Sequence, residues 1–174
     1  MVRMRTEELL LGEWACLGIL SERPAHGYDV AMRLSPAGDI GRVWSLSRPL
    51  TYRAIDQLVG RGLLVAVSEE TGVASGNRTI VAPTVEGKAV LQRWLAEPVT
   101  HLREVRTQFL LKLVLSTNVG LDTKEIIAAQ REVFAPMAAA LRRSSRESAE
   151  VDPVEIWRNE SSRAVVRFLQ RLAG

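Results

Sequence analysis

Residues 44–64, WSLSRPLTYRAIDQLVGRGLL, constrain the fold most, because a helical pattern ends there at glycine and a β pattern begins at once. Ser47 suits an N-cap, where a hydroxyl can accept an orphan N–H of the first turn. Pro49 suits the first turn itself, where its missing N–H costs nothing. At helical spacing Thr51, Ile55, Leu58 and Val59 share one face, with Leu50 and Ala54 beside it. Arg48, Tyr52, Arg53, Asp56 and Gln57 are left on the other face. Gly60 or Gly62 should stop the helix. Then come LLVAVSEE, the tip TGVASGN and the return run RTIVAP. Two short β runs about a Gly/Ser/Asn turn predict a hairpin whose tip exceeds a two-residue turn.

Before this stretch the apolar spacing predicts a helix over 7–20, capped by Thr6, with Leu10, Leu11, Trp14, Leu17 and Leu20. A shorter helix over 26–35 has Tyr28, Val30, Ala31 and Leu34 as its apolar members, and Pro36 and Gly38 close it. After the hairpin, a helix over 84–97 starts at Thr84 and ends at Pro98. The remainder is helical: 103–117, then 122 to about 148 with Pro136 expected to kink or split it. The last helix starts at Asp152, Pro153 and Glu155, in a capping-box arrangement. The fold class is therefore mainly α. Residues 1–98 are expected to form a winged helix-turn-helix domain with a two-stranded wing, and 99–174 an all-helical domain.

A helix of this kind fits the major groove of DNA, and arginine pairs at two points with guanine. Charge is distributed to suit that. The net charge is only +3, so contacts to nucleic acid must come from local clustering. Residues 1–98 hold eleven Arg/Lys against eleven Asp/Glu, and 99–174 hold twelve against nine. Within 42–61, however, Arg42, Arg48, Arg53 and Arg61 face only Asp56. Arg48, Leu50, Tyr52, Arg53 and Gln57, after the helix start at Ser47, are the candidate groove-facing residues. Arg42, Arg53, Arg61 and Arg78 are candidates for phosphate, with Asn77 beside Arg78 on the wing.

Other chemistries lack their residues. The single Cys16 allows no disulfide within one chain and suits a reducing cytoplasm. His26 and His101 are the only histidines, so no metal-ligand spacing exists. Neither a Gly-rich nucleotide loop nor a catalytic set is present, and no cofactor or enzymatic activity is expected. No apolar run approaches the ~20 residues that span a bilayer, so a cytoplasmic protein without a membrane partner is expected.

The segment LLGEWACLGILSERPAHGYDVAMRL resembles the opening of the PadR-type transcriptional regulators, in Pro24, His26, Gly27 and Tyr28. Trp44, Ser47, Tyr52, Ile55, Leu58, Gly62 and Leu63 continue the resemblance, and Thr84, Glu86 and Gly87 match its helix start after the wing. The family's usual Pro-Gly-Thr-Leu is here Arg48-Pro49-Leu50-Thr51, and the return strand NRTIVAP lacks an aromatic. REVRTQFLLKLVLS and the helices after it resemble the C-terminal dimerisation region of the longer members.

The resemblance implies a homodimeric regulator, a repressor by expectation, with recognition helix 47–60 and wing 69–78. It would bind a near-palindromic double-stranded operator. It also implies release by a small apolar or aromatic effector, for which Trp14, Trp94 and Trp157 are the candidate residues; the same tryptophans equally suit core packing. A winged-helix protein-interaction module that binds no DNA is the alternative.

Overall fold

The computed structural model describes residues 9–72, 76–147 and 152–174, apart from the side chains of 69–72, 76–78 and 145–147. In chain order these form α1 (Leu11–Glu22), β1 (Ala25–His26), α2 (Gly27–Leu34), α3 (Arg48–Gly60), β2 (Leu64–Gly72) and β3 (Gly76–Pro83). They continue with α4 (Val85–Ala96), α5 (Leu102–Glu104), a π-helical turn (Val105–Phe109), α6 (Leu110–Asn118), α7 (Lys124–Glu147) and α8 (Pro153–Leu172). The chain makes two interleaved units. One runs up to Leu95 and takes in Leu111–Leu121; the other is Ala96–Leu110 with Asp122–Gly174.

The first unit is a winged helix-turn-helix. Its centre is α1, buried on every side from Gly12 to Leu20, as a helix apolar all round must be. It starts four residues later than the periodicity predicts. Leu10 takes the cap position, and the Glu13 carboxylate accepts its N–H at 2.7 Å; Thr6 lies outside the described residues. Cys16 is fully buried, and burial, with Glu13 adding to it, pushes its thiol up to about 12. Leu34, Ile55, Leu58, Leu64, Val81 and Leu91 pack into the same core. So do Leu111 and Leu115, which is why α6 belongs here. Gly18 makes that possible, since a side chain there would sit 2.5 Å from a Leu115 methyl.

Three details depart from the sequence reading. Tyr28 does not join the apolar face of α2 but is 47% exposed, while Val30, Ala31 and Leu34 are buried. The sheet has a third strand: β1 pairs with β3 through Ala25–Val81 and His26–Ile80, giving the order β1-β3-β2. A two-residue strand is too short to show a period. The wing's pairing also runs further than expected. Glu70 faces Arg78, Thr71 faces Asn77 and Gly72 faces Gly76, so only 73–75, which lie outside the described residues, separate the strands. The register shifts between Ala66 and Ser68, leaving Val67 as the extra residue of a bulge.

The joints around the third helix are well specified. Leu63 N–H reaches Leu58 O and Gly62 N–H reaches Val59 O, both at 2.9 Å. This is the paired C-terminal closure that needs a left-handed residue, and Gly62 supplies it at φ 72°. Thr84 caps α4 as predicted, accepting Gly87 N–H at 3.0 Å and donating to Gly62 O at 2.8 Å.

Between α2 and α3, Arg33 donates to Asp39 at 2.6 Å and to Glu22 at 2.7 Å. The hydrogen bond from Arg33 holds the Asp39 carboxyl below its usual range. A depressed pKa stabilises the fold fully above the ordinary aspartate value of about 4 and loses that contribution as pH falls through the folded value. Asp39→Asn is therefore expected to flatten the acid limb of melting temperature against pH below about 5. An unchanged limb would contradict this assignment.

In the second unit, Ile126, Ile127, Phe134 and Ala138 of α7, Leu169 of α8, and Val99, Val105 and Phe109 are buried. Gln130 is fully buried and closes a two-bond ring with one backbone residue: Val99 N–H to Oε1 at 2.8 Å and Nε2 to Val99 O at 2.7 Å. α7 is one helix through Pro136, not two. Asp152 caps α8 by accepting Val154 N–H at 2.9 Å. The π-helical turn at 105–109 had no signal in the apolar spacing.

Candidate nucleic-acid interface

α3 presents two unlike faces. Thr51, Ala54, Ile55 and Leu58 are buried, whereas Arg48, Leu50, Tyr52, Arg53 and Asp56 are exposed. Val59, expected on the buried face, is 42% exposed, and Ala54 takes its place in the core. Gln57 is half-buried on the outer side.

Ser47 occupies the N-cap position in extended conformation, but its hydroxyl makes no capping bond. Pro49, at the second helical position, removes one of the two N–H groups a cap side chain can reach. The Ser47 carbonyl is used instead, accepting Thr51 N–H at 2.9 Å and the Thr51 hydroxyl at 3.1 Å. The exposed Ser47 hydroxyl remains at the start of the outer face.

Arg48 leaves the first turn within reach of two aromatic rings. Its guanidinium carbon lies 5.1 Å from the centre of the Tyr28 ring and 5.7 Å from that of Tyr52. Tyr52 in turn lies close against α2, because a Cβ on Gly27 would sit 2.7 Å from its Cε1. Among the described residues, no carboxylate pairs with Arg48 or Arg53.

The other arginines differ. Arg33 is bound by Asp39 and Glu22, as above. The exposed Arg42 donates to Asp39 O at 3.1 Å. Arg61, a candidate for phosphate, lies 3.6 Å from the Glu13 carboxylate, which is 1% exposed. Removing Arg61 strands that buried charge. Arg61→Ala is therefore expected to cost about 1–2 kcal/mol, less than for a fully buried pair because Arg61 is half-exposed. A lowered melting temperature with an unchanged salt dependence of DNA binding assigns Arg61 to the fold. An unchanged melting temperature with a shallower salt dependence would assign it to phosphate. Asn77 and Arg78 belong to β3, but their side chains lie outside the described residues.

The tryptophans separate. Trp14 and Trp94 stack at 4.6 Å between ring centres, 6° from parallel. Both are in the core of the first unit, and the Lys112 ammonium lies 4.7 Å from the Trp94 ring. Trp157 is on α8 of the second unit and is 73% exposed. His26 faces Thr79 O at 3.3 Å, a contact within the sheet. No helix among the described residues is long and apolar enough to cross a membrane.

Tyr28, whose ring centre lies 5.1 Å from the Arg48 guanidinium carbon, is the residue beside this face that sequence reasoning missed, because its apolar ring was assigned to the core.

No family model matches the chain, and no curated protein matches it. Solved structures do. The chain is similar to Bacillus subtilis PadR in complex with operator DNA, at 18% identity, covering 93% of this chain and 97% of that one, with a TM-score of 0.48. It is similar to the Vibrio cholerae virulence activator AphA at 22% identity, 94% and 92% coverage and a TM-score of 0.43. The PadR-like transcriptional regulator BC1756 from Bacillus cereus matches at 20% identity, 97% coverage of both chains and a TM-score of 0.42.

Proposed function

We propose that this chain is a PadR-type transcriptional regulator that binds double-stranded DNA sequence-specifically through the outer face of α3. One observation carries the reading: Arg48 and Arg53 stand exposed on α3, without a carboxylate partner among the described residues, and the opposite face of α3 is locked into the core. Unneutralised arginines on a rigid rod are what a phosphate-lined groove requires. Leu50, 49% exposed at the helix start, suits the methyl group of a thymine.

The protein acts as a homodimer. Val154, Ile156, Trp157 and Leu172 leave apolar surface exposed on α8, and a second copy is the partner that would cover it. Two-fold symmetry then sets two α3 helices roughly 34 Å apart on a near-palindrome. Sedimentation equilibrium should give twice the 19.3-kDa chain mass; a single-chain mass at micromolar concentration would overturn the dimer. Repression, relieved by a small apolar or aromatic effector, completes the proposal. The Trp14–Trp94 stack is the aromatic surface such a compound would have to open, and tryptophan fluorescence reads that directly.

The test of DNA recognition is selection of duplexes by the full chain from a pool of randomised 30-base-pair DNA. Enrichment of one sequence, bound with a strong salt dependence, supports the reading. A pool that stays random sinks it, and a stable protein partner captured instead would favour the interaction-module alternative.

A further inference from the structure

The geometry points to Tyr28 of α2 as a positioning residue that, with Tyr52, holds Arg48 ready for a base before DNA arrives. This rests on the DNA reading above and adds to it a residue outside the recognition helix.

An exposed arginine at the first position of a helix normally samples many rotamers, and ordering it on binding opposes association. Proteins commonly fix such an arginine with a carboxylate. A carboxylate here would cancel the charge and repel phosphate. Arg48 has no such partner among the described residues, yet it lies within cation–π reach of two rings, at 5.1 and 5.7 Å. An aromatic face restrains a guanidinium without neutralising it. Contact through the guanidinium face leaves its N–H edge free for the two acceptors of guanine.

The arrangement is built from both helices of the pair. Tyr52 is seated by the absence of a side chain at Gly27. Tyr28, next in sequence, is 47% exposed, so core packing does not account for its ring. The sequence Gly27-Tyr28 thus supplies both the space for one ring and the second ring itself.

The experiment uses the full chain, a duplex selected by the wild type from randomised 30-base-pair DNA, and an unselected duplex of equal length. Tyr28→Leu is expected to weaken binding of the selected duplex by about 3- to 30-fold, the span of a cation–π contact from exposed to desolvated sites. Binding of the unselected duplex should barely change. Tyr28→Phe keeps the ring and should stay within about twofold. In an Arg48→Ala background Tyr28→Leu should have almost no further effect, because its role runs through Arg48.

An undiminished loss in that background, or an equal loss in Tyr28→Phe, would overturn the inference. So would no loss at all. A second measurement needs no DNA: the NMR order parameter of the Arg48 Nε–H should fall in Tyr28→Leu and hold in Tyr28→Phe. An order parameter unchanged in Tyr28→Leu would also overturn it. Wild-type protein that does not distinguish the two duplexes defeats the DNA reading itself. Discrimination by the wild type without Tyr28–Arg48 coupling defeats only the positioning role.

Discussion

Arg48→Ala is expected to weaken binding of the selected duplex by about 1–3 kcal/mol, or roughly 5- to 150-fold, the range of one good two-point contact to a base. The fold should not suffer. Arg48 is exposed at the start of α3, and the two rings it approaches, Tyr28 and Tyr52, belong to exposed residues. The loss should concentrate at one base position, since a base contact relaxes specificity there. Arg53→Ala should instead weaken all sequences evenly and make the slope of log K against log salt shallower by about one, as for a phosphate contact. Equilibrium binding at several salt concentrations, with circular dichroism as the control, separates the two. Affinity unchanged in Arg48→Ala with the fold retained would refute the assignment.

Gly87→Ala is expected to lower stability by about 2–3 kcal/mol, at the upper end for forcing extra atoms into a packed site. A Cβ at position 87 would collide with the backbone carbonyl of Leu63, and a carbonyl cannot swing aside as a side chain can. That same oxygen accepts Thr84 N–H at 3.0 Å, so displacing it also disturbs the start of α4. For a chain of this length the melting temperature should fall by roughly 5–10 °C. Gly60→Ala is the counterpart. Nothing lies within 4 Å of a Cβ there and the residue is helical, so the change should be neutral or stabilising by about half a kcal/mol. Equal melting temperatures for Gly87→Ala and wild type would contradict the packing described.

These two glycines show what was legible in the sequence. The order of helices and hairpin was, because α3 and β2 differ so sharply in period that the change at Gly60–Leu64 is unambiguous. Thr84 and Asp152 were legible as caps because their chemistry is local. Contacts between distant segments were not. The carbonyl above Gly87 and the Leu115 methyls above Gly18 are set by tertiary packing, which no spacing encodes.

The site divides along the same line. The exposed arginine face of α3 followed from helical period alone. Tyr28 was missed because an aromatic side chain was counted as apolar. Yet at 100° per residue it lies about 110° from the mean direction of Val30, Ala31 and Leu34, at the edge of the buried face. Ser47 was read as a side-chain cap although Pro49 had removed one of the N–H groups that cap would use. Arg61 was read from charge alone, and Glu13, its partner, is 48 residues earlier in an otherwise apolar helix.

The most direct test is dimethyl sulphate protection of guanine N7, a major-groove atom, on the selected duplex. If α3 enters the groove, guanines in two half-sites about 10 base pairs apart should be protected. That protection should weaken in Arg48→Ala. Tight binding with every N7 still reactive, or protection indifferent to Arg48, would contradict the account.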